Sequence, residues 1–367
     1  MNQEIYIIGG GPVGLLMAII LAKKNFAVTI IDPNYSKIND GRVLAISYAS
    51  ICMLDNLGLW PQQLATKISQ VHISHSGLGV SQIKAGDLNL ACLGYTIKYA
   101  DLFQYLSSYA KDLSQIKYIQ ASVNQIDSTQ EYCCIKYQLD NAEKQILATN
   151  VIVADGGNCL IDGIKYREHD YQQTAIVATL KVDQLIPNSA FERFAKTGPV
   201  VLLPYGDNYV MVASVSQQLA HQYQQNANLV HDILGSSFLK RFGKVQIQDN
   251  VYSYPLKLKF ATPKVKKHVI LIGNAAQTVH PISAQGMNLA IRDVMELSEM
   301  IDSNIEDYAK KRNIDAKFVL NLTHFLAKFN ENNNFASNTL KTIGITSISN
   351  LKFIQNFIAK SLIFGYH

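Results

Sequence analysis

The sequence predicts an α/β protein in which a nucleotide-binding domain, assembled from separated pieces, is interrupted by a β-rich domain. Two observations support this fold class. A strand, a glycine turn, a helix and a second strand follow one another over residues 4–31. Between residues 172 and 260, several short apolar or alternating segments indicate a sheet. The chain of 367 residues is long enough for about two domains.

Composition and charge exclude several classes of protein. Hydrophobic residues make up 48% of the chain and charged residues 17%, whereas a disordered chain has fewer of the first and more of the second. The net charge of +5 comes without a stripe of basic and aromatic residues, so we expect no nucleic-acid partner. The glycines within residues 9–14 break the apolar N-terminal stretch, so we do not expect it to be a signal peptide. No apolar run of about 18 residues predicts a transmembrane helix.

The five cysteines predict a reducing compartment. They are Cys52, Cys92, Cys133, Cys134 and Cys159, and no pair has the spacing of a zinc site or an ordinary disulfide. We therefore expect a cytoplasmic protein without a metal. The mean hydropathy of +0.04 is slightly apolar. It indicates either a large core or a surface that touches lipid.

The elements follow from local patterns in chain order. The first unit is a strand over residues 4–8, a helix over 15–24 and a strand over 27–31. Further strands are predicted at 71–95, 117–126, 131–139, 145–153, 174–182, 200–203, 209–215, 251–260 and 269–272. Further helices are predicted up to residue 57 and at 99–113, 217–242, 286–300, onward to 330, and 350–364. We assign residues 1–70, 96–165 and 265–335 to the nucleotide-binding domain, 71–95 and 166–264 to the β-rich domain, and 336–367 to a helical tail.

The glycine turn after the first strand predicts a dinucleotide site. Gly9, Gly11 and Gly14 satisfy GxGxxG, with Pro12 at the start of the helix. The first glycine permits a tight turn, the second lets the backbone approach a pyrophosphate, and the third allows the helix to pack closely on the strand. Asp32 ends the second strand, where a carboxylate accepts hydrogen bonds from ribose hydroxyls.

Three further segments carry a resemblance to a known family. Gly41-Arg42 follows the second strand, Asp155-Gly156 ends a later strand, and residues 273–288, GNAAQTVHPISAQGMN, combine a strand end, a proline loop and a new helix. The chain resembles the FAD-dependent aromatic hydroxylases of the p-hydroxybenzoate hydroxylase fold, and most of all the ubiquinone-biosynthesis hydroxylases. AFERFAKTGPVVLLP at 190–204 and YQQTAIV at 171–177 carry the same likeness, which extends from residue 4 to at least 300.

The resemblance implies a fold and a set of cofactor-binding residues. The fold is mixed α/β: a Rossmann-like FAD-binding domain of the p-hydroxybenzoate hydroxylase (GR2) type, an inserted β-sheet substrate domain and C-terminal helices. The residues implied for FAD are Gly9, Gly11, Pro12, Gly14, Asp32, Arg42, Gln104, Asp155, Gly156, Gly273, Asn274, Pro281, Gly286, Met287 and Asn288. Backbone N–H groups at the start of the helix from Gly286 would face the pyrimidine side of the flavin, where the helix dipole favours the anionic reduced form. Ala284 departs from the family, which usually has glycine there.

The resemblance also implies the reaction and its partners. NAD(P)H, with NADPH as one option, would reduce FAD, and dioxygen would form a C4a-hydroperoxyflavin that hydroxylates the ring of a polyprenylated phenol of the 2-polyprenyl-6-methoxyphenol type. His280 and Pro281, in the flavin-facing loop, are the catalytic candidates, and Tyr205 is a weaker candidate for the partner of the substrate hydroxyl. His280 is also read as a structural histidine that packs the proline loop. Tyr205 is also read as part of a turn.

Two surface features each allow a purely structural and a functional interpretation. Lys257, Lys259, Lys264, Lys266 and Lys267 indicate a solvated loop or a contact for phosphates. The tail stripe of Leu351, Ile354, Phe357, Ile358 and Leu362 indicates a helix docked on the core or a contact with membrane or a partner protein. Arg292 and Asp293 are expected to pair on a solvated helix face.

Three functional hypotheses follow from these observations. The first is a monooxygenase of ubiquinone biosynthesis that works in the cytoplasm, at the periphery of the inner membrane and with a complex of ubiquinone-biosynthesis proteins. The second is a sister hydroxylase that acts at a different ring position. The third is a non-catalytic component of a lipid-biosynthesis assembly that retains FAD as a structural element.

Overall fold

The computed structural model describes residues 4–34, 40–75, 78–195, 197–226, 230–301, 303, 305–331 and 352–366. Within these ranges the strands form a six-stranded, a nine-stranded, a four-stranded and a three-stranded sheet. The polar break expected at residues 330–334 and the first part of the predicted tail, up to Leu351, fall mostly outside the described residues.

The six-stranded sheet forms the nucleotide-binding half. Its strands, in spatial order, are β20 (Val265–Lys266), β21 (Val269–Leu271), β12 (Val151–Val153), β1 (Ile5–Ile8), β2 (Val28–Ile31) and β8 (Ile116–Ile119). All neighbours pair in parallel except β20 and β21. Nearly every residue of β1, β2, β12 and β21 is buried, as expected for parallel strands covered on both faces. The carboxyl ends of β1 and β12 therefore meet at one edge, where ligands bind in such sheets.

The nine-stranded sheet forms the second half. Its main path is β22 (Gln277–Thr278), β19 (Tyr252–Thr262), β14 (Lys165–Val182), β17 (Asn208–Ser216), β16 (Gly198–Tyr205), β15 (Ser189–Ala195), β5 (Gln70–His75) and β6 (Leu78–Lys84), and β18 (Val245–Ile247) pairs with β14. Neighbours are antiparallel except β15 and β5. Helices α4 (Gln217–Gln225) and α5 (Val230–Phe242) cover one face, where Phe191, Tyr209 and Phe242 pack together. The opposite face is left to the functional site.

Two small sheets and the remaining helices complete the fold. The four-stranded sheet contains β11 (Ala142–Ala148), β10 (Cys133–Leu139), β9 (Ser122–Ser128) and β13 (Leu160–Ile161), and the three-stranded sheet contains β3 (Val43–Ser47), β7 (Gly94–Lys98) and β4 (Thr66–Ile68). The helices are α1 (Pro12–Lys23), α2 (Tyr48–Asn56), α3 (Tyr99–Lys111), α6 (Gly286–Met300), α7 (Ile305–Glu331) and α8 (Lys352–Phe364). Helix α1 packs on β1 and between α3 and α6. Because ten of its residues are buried, α1 has no wide polar face.

Two strand predictions differ from the structure. Residues 117–126 were expected to form one strand, but the chain leaves the parallel sheet after Ile119, and β8 and β9 belong to different sheets. The strand β15 was not predicted as a separate element. Glu192 and Arg193 stand in the middle of its sequence, SAFERFA, and hide the apolar pattern of a strand inside a sheet.

Two charged residues that were expected at the surface are buried. Arg292 pairs with Asp315 (Nε to Oδ2, 2.8 Å), and Asp293 accepts a hydrogen bond from Arg312 (2.7 Å), so Arg292 and Asp293 do not pair with each other on a solvated face. All four side chains are 3% exposed or less. The pKa of Asp315 stays low although burial raises it, because Arg292 and Arg312 outweigh burial.

The lysine cluster is a solvated loop only in part, since Lys267 is exposed in the turn between β20 and β21. Lys257 and Lys259 lie on strand β19, and Lys264 is 1% exposed. The Lys264 ammonium donates to Gln277 Oε1 at 2.5 Å. Burial lowers the pKa of Lys264 to about 8.

The C-terminal helix docks on the core through its last turns. Ala359 and Ile363 are buried against the side of β3 and α2, and Ser47 Oγ donates to Ile363 O at 3.0 Å. From the predicted stripe, Ile358 and Leu362 are half-buried and Phe357 is exposed. Among the helices in the described part of the chain, none is both long enough and apolar enough to cross a bilayer.

Candidate active site

A cavity of about 720 Å³ lies between the carboxyl edge of the parallel sheet and the open face of the nine-stranded sheet. Most of the predicted FAD residues line it: Gly9, Gly11, Pro12, Asp32, Arg42, Asp155, Gly156, Asn274, Pro281, Gly286 and Met287. The nine-stranded sheet contributes a largely apolar wall that includes Val71, Ala175, Val177, Ala190, Val201, Leu203, Val212 and Leu256. Residues from both ends of the sequence therefore share one space, as the discontinuous nucleotide-binding domain requires.

The glycine turn is held by close backbone contacts. Gly9 has φ +105°, and a Cβ there would lie 2.6 Å from Ala154 O. A Cβ on Gly14 would lie 1.9 Å from Gly9 O, because α1 begins directly against the turn. Leu15 N–H donates to Gly11 O, and Pro12 occupies the first turn of the helix. The N–H groups of Val13 and Gly14 therefore precede the first bond of the helix, next to the cavity, and can meet an anion.

Asp32 lies beside this turn at the end of β2. Its Oδ2 accepts from Gly10 N–H at 2.6 Å, and its Oδ1 accepts from Asn34 N–H at 2.7 Å. The carboxylate thus fixes the glycine turn as well as lining the cavity. Each oxygen has a second lone pair that can accept from a ribose hydroxyl.

Arg42 belongs to a cluster of charged and aromatic side chains. Its Nε lies 2.9 Å from both oxygens of Asp40, and its guanidinium lies 4.5 Å from the centre of the Tyr99 ring. Tyr254 donates its hydroxyl to Asp40 at 3.2 Å. Burial raises the pKa of Asp40, but hydrogen bonds and charge from Arg42 outweigh it and hold that pKa low. The structure therefore places a cation at the cavity wall, oriented by Asp40.

Asp155 organises the second predicted motif. Its Oδ1 accepts from Gly157 N–H at 2.7 Å, and its Oδ2 accepts from the N–H groups of Asn158 (3.0 Å) and Cys159 (2.7 Å). Gly156 and Gly157 both have positive φ, at +79° and +84°. The aspartate thus holds a tight turn open toward the cavity.

The proline loop ends at the start of α6. Ser283 and Ala284 have φ of 66° and 50°, in the left-handed region that favours glycine. The first hydrogen bond of α6 runs from Leu289 N–H to Gln285 O, so the N–H groups of the preceding residues lie outside the helical ladder. Gly286 and Met287 line the cavity there, and a Cβ on Gly286 would meet no described atom within 4 Å.

Asn288 supports this loop from behind. Its Oδ1 accepts from Ser47 N–H at 2.8 Å, and its Nδ2 donates to Ala45 O and Ala284 O, both at 3.0 Å. It is buried and does not line the cavity. Gly273 is likewise buried, and its N–H donates to Asp293 Oδ2 at 3.0 Å.

Besides Gly14, Gly273 and Asn288, three further predicted residues are not brought to the cavity wall. His280 is 1% exposed and lies behind the loop, where its Nδ1 accepts from Ile282 N–H and burial lowers its pKa to about 4. This position agrees with a structural role rather than with a catalytic one. Gln104 is exposed on α3, because the helix turns it away from Tyr99, which does line the cavity. Tyr205 ends β16 before a turn and lies outside the lining.

Several lining residues were missed by the sequence reasoning, among them Asp40, Tyr99, Tyr254 and Glu192. Glu192 reaches the cavity from β15, on the same face as Ala190. Burial raises the pKa of Glu192 to about 7. The charged dipeptide Glu192-Arg193 between Phe191 and Phe194 was the available signal.

The residues present fit a flavin dinucleotide. Gly11 lacks a side chain, and a Cβ there would lie 3.2 Å from the Tyr99 hydroxyl, so the backbone is open to a pyrophosphate. A second helix start opens on the same cavity at Gly286. Two helix starts suit the two electron-rich parts of FAD, the pyrophosphate and the pyrimidine side of the flavin.

Comparison with known proteins agrees with this site. The family model described as FAD binding domain matches residues 2–317. The 3-demethoxyubiquinol 3-hydroxylase of Escherichia coli is 29% identical over 81% of this chain and 79% of its own. The ubiquinone hydroxylase UbiM of Neisseria meningitidis is 23% identical over 99% of this chain and 85% of its own.

Solved structures share the fold. The p-nitrophenol 4-monooxygenase PnpA of Pseudomonas putida superposes with a TM-score of 0.83 at 14% identity, over 100% of both chains. CabE, an aromatic hydroxylase from angucycline biosynthesis, gives a TM-score of 0.74 at 15% identity, over 99% of this chain and 76% of its own. The predicted mixed α/β fold of the p-hydroxybenzoate hydroxylase type is confirmed. The chain therefore belongs to the FAD binding domain family of FAD-dependent aromatic monooxygenases.

Proposed function

We propose that this protein hydroxylates the ring of a polyprenylated phenol in ubiquinone biosynthesis, with FAD as cofactor and NAD(P)H and dioxygen as co-substrates. The observation that carries the proposal is the single cavity in which a dinucleotide-type glycine turn and a mostly apolar sheet face meet. A polar dinucleotide suits the first wall, and a prenylated ring suits the second. The names of the relatives, which are ubiquinone hydroxylases, favour the same substrate class.

The chain's own residues have distinct proposed roles toward FAD. The N–H groups at the start of α1 and the bare backbone of Gly11 hold the pyrophosphate, and Asp32 accepts from the ribose. Arg42 supplies positive charge to the phosphates, and Asn274, at the cavity wall, meets the ribitol chain. Asp155 holds its turn against the cofactor, and the N–H groups of Gly286 and Met287 face the flavin ring.

When bound, FAD would pass electrons from NAD(P)H to dioxygen and supply an electrophilic oxygen to the ring. The protein contributes orientation and the exclusion of water. The wall formed by Val177, Ala190, Val201 and Leu203 keeps water from the reacting centre, which limits loss of the activated oxygen. The Ser283–Ala284 turn sets where the start of α6 faces the flavin.

The ring position is the point on which two candidates compete. The likeness in sequence motifs favours a 2-polyprenyl-6-methoxyphenol-type substrate. The name of the Escherichia coli relative, a 3-demethoxyubiquinol 3-hydroxylase, favours a sister enzyme that acts elsewhere on the ring. Quinone-intermediate profiling of a strain without this protein separates them, because each candidate predicts a different accumulated precursor.

Purified protein tests the flavin and the reaction together. We expect it to take up FAD and to consume NAD(P)H and dioxygen faster when a prenylphenol is added, with a hydroxylated product. Protein that takes up no FAD would overturn the proposal. Bound FAD without NAD(P)H oxidation in the presence of any prenylphenol would favour the non-catalytic component.

The sequence-based domain boundaries and the peripheral membrane contact remain parts of this proposal. Phe357 and Phe364 are exposed on α8, with fractions of 51% and 38%, while Ala359 and Ile363 attach that helix to the core. A lipid-dwelling substrate makes contact with the inner membrane or with other ubiquinone-biosynthesis proteins useful. Vesicle flotation of the full chain, with Phe357→Ser as the variant, tests the membrane part.

A further inference from the structure

The side chain of Glu192 is unusual among the residues that line the cavity. The nine-stranded sheet contributes one charged side chain to the described lining, and that side chain is Glu192. In the sheet it lies opposite Val201 on β16 and Ile73 on β5. Its Oε1 is inaccessible and has no hydrogen-bond partner among the described residues. A carboxyl oxygen without a partner in an apolar wall costs free energy unless a ligand supplies a donor.

The other carboxylates of the cavity are already engaged. Asp32 and Asp155 accept backbone N–H groups, and Asp40 pairs with Arg42. These three lie at the dinucleotide end of the cavity, in the segments that follow the parallel strands β2 and β12. Glu192 is instead on the sheet wall, among the side chains that suit the ring and the prenyl chain.

Burial also brings the ionisation of the Glu192 carboxyl group close to neutral pH. Its pKa rises to about 7, and desolvation by burial is the cause. A phenol that enters this wall brings an O–H donor, which a carboxylate accepts. A general base is most effective when its pKa lies near the working pH.

We propose that Glu192 binds the hydroxyl of the phenolic substrate and accepts its proton as the ring is hydroxylated. This inference rests on the proposed function. It assigns to Glu192 the catalytic role for which His280 and Tyr205 were candidates, because those two residues lie outside the cavity lining. It also sets the orientation of the ring, since the hydroxyl must lie at β15 while the prenyl chain follows the apolar wall.

The step balances with the co-substrates already named. Overall, the phenol, dioxygen, NAD(P)H and one proton give the hydroxylated phenol, NAD(P)⁺ and water. As a ring carbon bonds to the electrophilic oxygen, the O–O bond of the activated dioxygen breaks, and the second oxygen leaves and ends as water. The phenolic O–H bond breaks in the same step, and its proton passes to Glu192. The ring carbon then loses its hydrogen as a proton while aromaticity returns, and Glu192 gives its proton back to the phenolic oxygen.

A probe phenol tests the proton directly, without turnover. Geranyl-substituted 4-nitrophenol is bound to the oxidised holoenzyme and titrated, and the visible absorption of its phenolate is followed. A nearby carboxylate opposes ionisation of the phenol, and the two groups share one proton. We expect Glu192→Gln to lower the ionisation midpoint of the bound probe by about one pH unit or more. An unchanged midpoint with bound probe would overturn the inference.

Turnover supplies the second readout. We expect Glu192→Gln to lower kcat by roughly 10²- to 10⁴-fold with FAD content unchanged, and the loss to shrink as pH approaches the pKa of the substrate phenol. Glu192→Asp, which keeps a carboxyl, should retain part of the rate and the high midpoint, even if the glutamine variant folds poorly. Glu143→Gln, at an exposed position on β11, is the matched control and should change neither readout.

The outcomes separate this inference from the function on which it depends. If the Glu192→Gln variant turned over as fast as the wild type at every pH, Glu192 would have no role in the reaction, and the proposed function would remain intact. Wild-type holoenzyme that neither binds the probe nor hydroxylates a prenylphenol would overturn the proposed function and the inference with it.

Discussion

The substitution Gly14→Ala tests the glycine turn most directly. The new Cβ would lie 1.9 Å from Gly9 O and 3.1 Å from Gly9 C. Since a carbon and an oxygen in contact lie about 3.3 Å apart, the methyl group or the turn must move by roughly 1.4 Å. Neither neighbour is a flexible side chain, and Gly9 N–H is held by Ile31 O at 2.9 Å. Relief therefore requires α1 to move away from β1.

We expect two measurable effects of Gly14→Ala. Urea unfolding of the FAD-free protein should show a loss at the upper end of the about 1–3 kcal/mol that overpacking costs. FAD at a hundredfold excess over its Kd should stabilise the wild type by about 2.7 kcal/mol and the variant by almost nothing, because the N–H groups no longer converge on the pyrophosphate. Both are measured from the same set of unfolding curves.

Gly86→Ala provides the matched control. A methyl group on Gly86 would meet no described atom within 4 Å, and the φ of this residue is not positive. The variant should stay within about 0.5 kcal/mol of the wild type and keep the full FAD effect. A Gly14→Ala protein that FAD stabilises as strongly as the wild type would refute the role assigned to this turn.

Three further predictions concern buried charge and backbone strain. Arg312→Gln should lower the free energy of unfolding by about 3–5 kcal/mol in urea, because it removes the ion-pair partner of the buried Asp293 carboxylate, whereas Lys310→Gln, in an exposed pair, should cost about 1 kcal/mol or less. The folded-state pKa of Glu192, about 7, is raised above the usual 4.5, so its stabilising contribution is complete below about pH 4.5 and is lost as pH rises to about 7. Wild type should therefore lose about 3 kcal/mol relative to Glu192→Gln across that window, and parallel pH profiles of unfolding would contradict this. Ala284→Gly should raise the free energy of unfolding by up to about 1 kcal/mol, and the melting temperature slightly, because φ at Ala284 is 50°. Ala49→Gly, in helix α2, is the control and should lower the melting temperature.

The sequence predicted those parts of the molecule in which local pattern and contact coincide. The βαβ unit and the helix from Gly286 follow directly from apolar spacing and glycine positions, and the structure forms both. The gathering of Asp32, Asp155 and Pro281 around one cavity followed from the family resemblance. These predictions succeed because the residues concerned act through the local conformation of their own segment, which the local sequence determines.

Contacts between segments that are distant in the chain could not be predicted from the sequence. Whether Arg292 faces water depends on α7, which brings Asp315 to it from 23 residues away. Glu192 becomes a cavity residue only because β15 pairs with β5 from a distant part of the chain. His280 is adjacent in sequence to Pro281, yet one lies behind the loop and the other lines the cavity. The side chains of adjacent residues point in different directions, and spacing alone does not reveal which of them faces the ligand.

The side chain of Asn288 makes the proline loop and strand β3 one mechanical unit. It bonds to Ser47 and Ala45 on one side and to Ala284 on the other, while Val43, Leu44 and Ala45 form part of the cavity wall. At about 1 kcal/mol for each hydrogen bond, a loop that moved together with Asn288 away from β3 would break two of them and would be populated in roughly one molecule in thirty. A ligand that presses on the β3 wall therefore shifts the same equilibrium as one that presses on the loop, and the two walls respond as a pair.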